Sequence, residues 1–96
     1  MKAIVSVIGK DKKGIIARVS GELFGMDINI EDISQTILQD YFTMIMAVDM
    51  KDCSLSFEEA AERLSLLGKK TGVEIRIQSQ QIFDAMHKIS LASDNI

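Results

Sequence analysis

The order of apolar segments predicts an α+β domain: a four-stranded antiparallel sheet with two helices on one face, followed by a short C-terminal helix. Four segments show strand patterns and two longer ones show apolar residues at helical spacing. The strand patterns cover residues 2–9, 28–39, 41–50 and 73–78, and the helix patterns cover 14–24 and 57–72. The right-handed crossover rule then places the first strand between the third and the fourth, with the second at an edge.

The first strand is apolar on both faces, which is typical of the centre of a sheet. The helix that follows carries one apolar stripe, and Gly25 is expected to end it as a C-terminal glycine. The stripe is formed by Ile15, Ile16, Val19, Leu23 and Phe24.

The second and third strands form a predicted hairpin that reverses at Asp40. In the second strand the apolar phase changes between Ile30 and Ile33, which indicates a β-bulge. The third strand alternates strictly, and its apolar phase is expected to pack against both helices. That phase comprises Phe42, Met44, Met46, Val48 and Met50.

The second helix begins with a capping box formed by Ser56 and Glu59. Gly68 lies within its apolar pattern, so the helix either breaks there or continues to Gly72. The fourth strand has one apolar and one polar face, as an edge strand has. Its polar residues Glu74, Arg76 and Gln78 are expected to face solvent.

The C-terminal segment predicts a short amphipathic helix over residues 81–90, followed by a flexible tail over 91–96. The apolar residues of this helix are Ile82, Phe83, Met86 and Ile89. The helix either lies across a partner chain or covers the open side of its own sheet. Residues 1–80 form the domain proper.

Composition limits the function classes. Ninety-six residues form one domain, and 47% hydrophobic with 26% charged residues is a globular balance. A net charge of −3 argues against general nucleic-acid binding, and no apolar run reaches membrane-spanning length. Cys53 is the only cysteine, which excludes a disulfide framework and a thiolate metal cluster. We therefore expect a cytoplasmic protein without a cofactor or a metal, and without nucleic-acid or membrane partners.

The turn between the first strand and the first helix is the main candidate site. The first N–H groups of a helix are unpaired and lie at its positive end, where they attract a carboxylate or a phosphate. Gly14 permits close approach of a ligand, while Lys10, Lys12 and Lys13 add positive potential. Asp11 could receive an ammonium group. The turn suits an amino acid, although the same residues also fit an ordinary turn with solvated lysines.

Asn29 is a second candidate, because its amide offers a donor and an acceptor near the start of the second strand. The alternative is a turn residue at the exit of the first helix.

No catalytic or nucleic-acid motif stands out. A Cys-x-x-Cys metal motif is absent, Arg18 lies too far into the helix for a phosphate loop, and His87 stands alone. No nucleophile and base, and no paired carboxylates, are brought together by the predicted fold, so we expect a protein without enzymatic activity.

The pattern Gly9-x-Asp11-x-x-Gly14-Ile15, an apolar helix and the segment 25–30 (Gly-Met-Asp-Ile-Asn-Ile) resemble the ACT domain. This resemblance, which covers residues 2 to about 80, implies a ferredoxin-like βαββαβ module that binds amino acids and regulates metabolic enzymes. The ending 82–89 is similar to that of small stand-alone ACT proteins grouped with glycine-cleavage regulators.

The resemblance also implies the ligand-binding residues. They are Asp11, Lys12, Lys13, Gly14, Ile15 and Asn29. The ligand carboxylate is expected on the N–H groups of Gly14 and Ile15, with Asp11 and Asn29 facing its ammonium group. Lys13 departs from the proline of many relatives, which would preset the first helical turn.

Most ACT domains are joined to an enzyme or a DNA-binding domain, and this chain carries neither, so regulation in trans of a metabolic enzyme or regulator is implied. We expect a homodimer or higher oligomer, because the second strand is a long edge with few charges. The alternative function is an interaction module that binds no ligand.

Overall fold

A computed structural model describes residues 1–10, 13–81 and 84, and its elements confirm the predicted βαββαβ order. These elements are β1 (Lys2–Lys10), α1 (Ile15–Gly25), β2 (Asn29–Leu38), β3 (Tyr41–Asp49), α2 (Phe57–Thr71) and β4 (Glu74–Ser79).

The four strands form one antiparallel sheet in the order β2-β3-β1-β4, as the crossover rule predicts. β1 therefore lies in the middle, which explains its apolar residues on both faces. The predicted bulge is present in β2. Ile30 pairs with Val48 and Asp32 with Ala47, so Glu31 is the extra residue.

Both helices cover the same face of the sheet and enclose one core. The apolar phase of β3 is buried there as predicted, with Met44, Met46 and Val48 fully buried. On the opposite side, the predicted polar face of β4 is correct for Glu74 and Arg76, whereas Gln78 is partly buried.

The predicted apolar stripe of α1 is too wide. Ile15, Val19 and Leu23 are buried, but Ile16 is 40% and Phe24 82% exposed. At about 100° per residue, Phe24 points about 140° away from Val19, whereas Ile16 points within about 20° of Leu23 and is exposed in the first turn of the helix.

α1 ends at Gly25 as predicted, but Gly25 does not take the left-handed conformation that is typical of a C-terminal glycine. Gly25 is the last helical residue, and the left-handed residue is Asp27, with φ of 56°. The N–H of Asp27 donates to the carbonyl of Phe24 and that of Ile28 to the carbonyl of Leu23, both at 3.0 Å. Aspartate tolerates this conformation because its short polar side chain can hydrogen-bond locally.

α2 begins and ends as the sequence indicates. The Ser56 hydroxyl accepts from the N–H of Glu59 at 3.1 Å, and the Glu59 carboxylate accepts from the N–H of Ser56 at 3.3 Å. The helix continues through Gly68 to Gly72, which has φ of 77°. A Cβ at Gly68 would lie 2.6 Å from the carbonyl oxygen of Val73, so glycine there allows β4 to approach.

The chain becomes helical again at Gln80, Gln81 and Asp84. The rest of the predicted C-terminal helix, and the predicted tail over 91–96, lie outside the described residues. Among the helices that the structure describes, none is both long and apolar enough to cross a membrane.

Candidate functional site

The β1–α1 turn presents an exposed helix N-terminus. Gly14 is the N-cap residue of α1, with φ of 82° and ψ of 2°, and among the described residues no side-chain hydrogen bond caps this end. Its carbonyl accepts from the N–H of Arg18 at 2.9 Å. Lys13 and Gly14 are exposed, whereas the Ile15 side chain is in the core, so Ile15 offers a ligand only its backbone. Asp11 and Lys12 lie outside the described residues.

The left-handed conformation of Gly14 changes what a substitution there would do. A Gly14→Val substitution would preserve folding only if this residue had helical dihedral angles, and it does not have them. A Cβ at Gly14 would meet no atom of the described residues within 4 Å, so these residues leave room for a side chain. A larger residue would nevertheless strain the backbone, because L-residues disfavour this region.

Asn29 lies in a different place, on the rim of a hollow of about 170 Å³ at the C-terminal end of α1. The hollow is lined by Phe24, Asp27, Ile28, Asn29 and Asp52. Asn29 and both aspartates are exposed. Sequence reasoning missed Phe24 as a surface residue and both aspartates as neighbours of Asn29. Helical spacing alone could have placed Phe24 on the flank, whereas Asp52 is distant in sequence.

The surroundings of Asn29 carry further charges. Asp49, its partner on β3, accepts a hydrogen bond from the N–H of Lys51 at 3.0 Å, which together with Lys2 lowers the pKa of this carboxyl. The hydrogen bond to Glu31, 2.6 Å from Nζ, raises the pKa of Lys2. The Asp49 carboxylate and the Lys2 ammonium group therefore stay ionised across the neutral range.

One chain does not bring Asn29 to Gly14. Asn29 pairs with Asp49, which pairs with Lys2, so Asn29 lies at the end of the sheet where β1 begins. Gly14 follows the other end of β1, at Lys10. The two ends of β1 are roughly 25 Å apart at about 3.3 Å per residue. A site that uses both residues needs a second chain.

The two ends of α1 have charges opposite to those that its dipole favours. Its first turn has no acidic residue and its last turn no basic one. Lys10 and Lys13 lie in sequence before the positive N-terminus, and Asp27 follows the negative C-terminus. Each end is therefore open to a group of the opposite charge, an anion at the first and a cation at the second.

Exposed apolar side chains run along the β2 side of the molecule. Ile33 and Ile37 pair with Met46 and Phe42 of the core, so they lie on the helix-covered face of the β2 edge, yet both are exposed. α2 contacts the opposite flank of α1 through the ion pair of Arg63 and Glu22, 2.9 Å apart. We call the exposed set on the β2 side the edge patch. It comprises Ile16, Phe24, Ile33 and Ile37.

The fold and the turn define a class of protein: a βαββαβ domain with an open helix N-terminus at one end of its sheet and an acidic hollow at the other. Among the described residues, no group of three or more His, Cys, Asp and Glu side chains could hold a metal ion.

The chain belongs to the ACT domain family, whose model matches residues 2–78. It is 55% identical to a UPF0237 protein of Clostridium acetobutylicum, over 93% of this chain and 100% of that protein. The solved structure of an ACT domain protein from Streptococcus pneumoniae is similar, with a TM-score of 0.78 and 46% identity, covering 86% of this chain and 93% of that one.

A more distant similarity links the chain to a regulatory protein. The regulatory subunit of aspartate kinase from Thermus thermophilus, in its ligand-free form, superposes with a TM-score of 0.63 at 28% identity. The match covers 80% of this chain and 50% of that subunit. The family and this neighbour support a ligand-sensing regulatory role.

Proposed function

We propose that this protein senses a small amino acid, has no enzymatic activity and regulates a metabolic enzyme or another regulator in trans, as a homodimer in the cytoplasm. The observation that carries the proposal is the exposed N-terminus of α1 at Gly14, where no side chain in the described part of the chain forms a capping hydrogen bond. By contrast, the N-terminus of α2, the other helix in this layer, is capped by the capping box of Ser56 and Glu59. The family membership of the chain supports the regulatory role.

The ligand carboxylate binds at this turn. The N–H groups at Gly14 and Ile15 are placed to donate, and the helix dipole favours an anion there. Lys13 is exposed beside them and adds positive potential. The left-handed backbone of Gly14 leaves space above the turn, since no atom in the part of the chain that the structure describes lies within 4 Å of the position of a Cβ.

The ammonium group binds between two chains. If two β2 edges pair antiparallel about a two-fold axis, the Asn29 end of one chain meets the Gly14 end of the other. Asn29 and Asp27 of one chain then face the ammonium group of a ligand whose carboxylate lies on the second chain, together with Asp11 of that chain. The basic and acidic ends of the two α1 helices also become neighbours, which is favourable electrostatically.

The alternative, an interaction module without a ligand, is favoured by the edge patch. Four exposed apolar side chains beside an open strand suit a second copy whether or not a ligand is present. The two functions share the dimer and differ only in amino-acid binding.

A thermal-shift screen against the twenty amino acids tests the proposal. At a hundred times Kd a ligand stabilises the folded protein by about 2.7 kcal/mol, so the binding amino acid should raise the Tm clearly. Calorimetry on Asp11→Ala and Asn29→Ala should then show Kd raised about ten- to a hundredfold, because a hydrogen bond to a charged group contributes roughly 1.5–3 kcal/mol.

Two surface substitutions serve as controls. Glu62→Ala, on the exposed side of α2, and Gln78→Ala, on β4, should leave Kd unchanged. Equal weakening by all four variants would place the site elsewhere. Binding of no amino acid by the parent protein would favour the interaction module.

A further inference from the structure

The two helices leave a groove between them, which we call the helix groove. It has a volume of about 210 Å³ and is lined by five residues. They are Glu22 of α1 and Arg63, Leu66, Leu67 and Lys70 of α2. Leu66 points about 160° away from the buried Leu64 and is 50% exposed. Since Leu67 beside it is only partly buried, the helix groove offers apolar surface on the outer side of the helix layer.

The helix groove runs towards the end of the sheet where β1 finishes. α1 begins there, because it follows β1, and α2 ends there, because Glu74 at the start of β4 pairs with Ile8. The two helices are therefore antiparallel. The ion pair of Glu22 and Arg63 marks one level of the groove. Lys70 follows two turns further along α2, about 10 Å closer to this end of the sheet.

The walls of the helix groove carry an excess of positive charge. Arg63 and Lys70 are exposed on α2. Arg18 is exposed on α1, one turn from Glu22 and on the same flank of the helix. The Glu22 carboxylate is already held by Arg63, with an N–O distance of 2.9 Å. Positive charge beside exposed leucine surface indicates a partner that brings acidic and apolar side chains together.

We propose that the helix groove binds an acidic amphipathic helix of the regulated partner protein. The proposal rests on the proposed regulation in trans and defines the surface that the partner presents. Apolar side chains one turn apart on such a helix contact Leu66 and Leu67, while glutamates or aspartates beside them lie near Arg18 and Lys70. An extended strand would find few backbone partners there, because the N–H and C=O groups along both helices bond within each helix.

Fluorescence anisotropy with a synthetic peptide tests the proposal. A stapled helical peptide of about 14 residues carries leucines at helical spacing and glutamates on both flanks. A second peptide has lysines in place of the glutamates. We expect the acidic peptide to bind, and to bind more weakly as salt is added, because salt screens exposed charges. No binding of the acidic peptide, or equal binding of both peptides, would overturn the proposal.

The outcome is independent of the amino-acid screen, because the peptides are measured without an amino acid. A protein that gains thermal stability with an amino acid but does not bind the acidic peptide would keep the sensing function and lose only the helix groove. A protein that binds the peptide but no amino acid would keep the helix groove and lose the sensing function.

Two neighbouring lysines provide a matched pair of variants. Lys69 and Lys70 are both exposed in the last turn of α2, but Lys70 lines the helix groove, whereas Lys69 lines a separate hollow beside β4. Lys70→Glu should weaken binding of the acidic peptide about tenfold, because like charges meet in the groove. Lys69→Glu makes the same change of charge and should leave the affinity nearly unchanged. Equal weakening by both variants would assign the binding to net charge and overturn the proposal.

NMR of the ¹⁵N-labelled chain locates the peptide. Saturating acidic peptide should shift the amide signals of Arg18, Leu66 and Lys70, while those of Ile33 and Ile37 on β2 stay in place. Shifts confined to the sheet would overturn the proposal. Sedimentation equilibrium excludes a second copy as the occupant: Lys70→Glu should have the mass of the parent, and a lower mass would assign the helix groove to a second copy instead.

Discussion

Gly14 matters both for the backbone conformation of the β1–α1 turn and for the candidate site. Its φ of 82° closes the β1–α1 turn, and its missing side chain leaves the end of α1 open. The sequence suggests the close approach of a ligand, but it does not show the left-handed angle, which the geometry of the entire turn decides. Asp27 makes the same point from the other end of α1, since it takes the left-handed position predicted for Gly25.

Two glycine substitutions separate the strain of a left-handed backbone from the general effect of replacing glycine with alanine. Gly14→Ala should lower the free energy of unfolding by about 1–2 kcal/mol, because alanine disfavours the left-handed region. Gly21→Ala, in the exposed interior of α1, should raise it by about 0.5–1 kcal/mol. Neither added Cβ comes within 4 Å of an atom of residues 1–10, 13–81 or 84, so crowding by these residues does not affect the comparison. Urea denaturation measures both, and an unchanged Gly14→Ala variant would argue against the left-handed turn.

At the level of elements, the strand phases and the capping box of α2 followed from local patterns. Burial repeats every second residue in β3, so the pattern identifies the inner face directly. The stripe of α1 was harder to predict, because Ile16 and Phe24 are as apolar as the buried residues, and the angle about the helix separates only Phe24 from them. Whether the helix continues through Gly68 was ambiguous in the sequence. The glycine is required by the close approach of Val73, which lies outside the helix.

The phase of β3 can be tested by inserting a charge. Met46→Asp should unfold the domain, since burying even an uncharged polar group without a partner costs roughly 2–7 kcal/mol, and Met46 is fully buried. Thr43→Asp, on the other face of the same strand, should leave the protein folded. Circular dichroism during thermal unfolding distinguishes the two variants. A Met46→Asp protein that melts like the parent would show that the phase is wrong.

For the whole molecule, the arrangement of the strands separates the parts of the candidate site. Asn29 and Gly14 lie at opposite ends of one sheet. The edge patch lies along β2, the outer strand of this sheet. A two-fold dimer through β2 would unite all three features: the basic turn, the acidic hollow and the exposed isoleucines.

The dimer prediction concerns the edge patch. Sedimentation equilibrium at micromolar concentration should show a dimer for the parent chain. Replacing both Ile33 and Ile37 with glutamate should yield monomers, because like charges would meet across the two-fold axis. Leu66→Glu, an equally exposed apolar position on α2, should stay dimeric. A parent protein that is monomeric at these concentrations would exclude the arrangement.

The sequence by itself determined the order of elements, the inner faces of β3 and β4, the bulge after Ile30 and the capped N-terminus of α2. These features depend on spacing within one segment, and spacing is visible along the chain. Only the tertiary structure decided that Asn29 and Gly14 are far apart in one chain and that Asp52 joins the hollow around Asn29. These facts depend on strand register and on how helices lie across a sheet, both of which join residues distant in sequence.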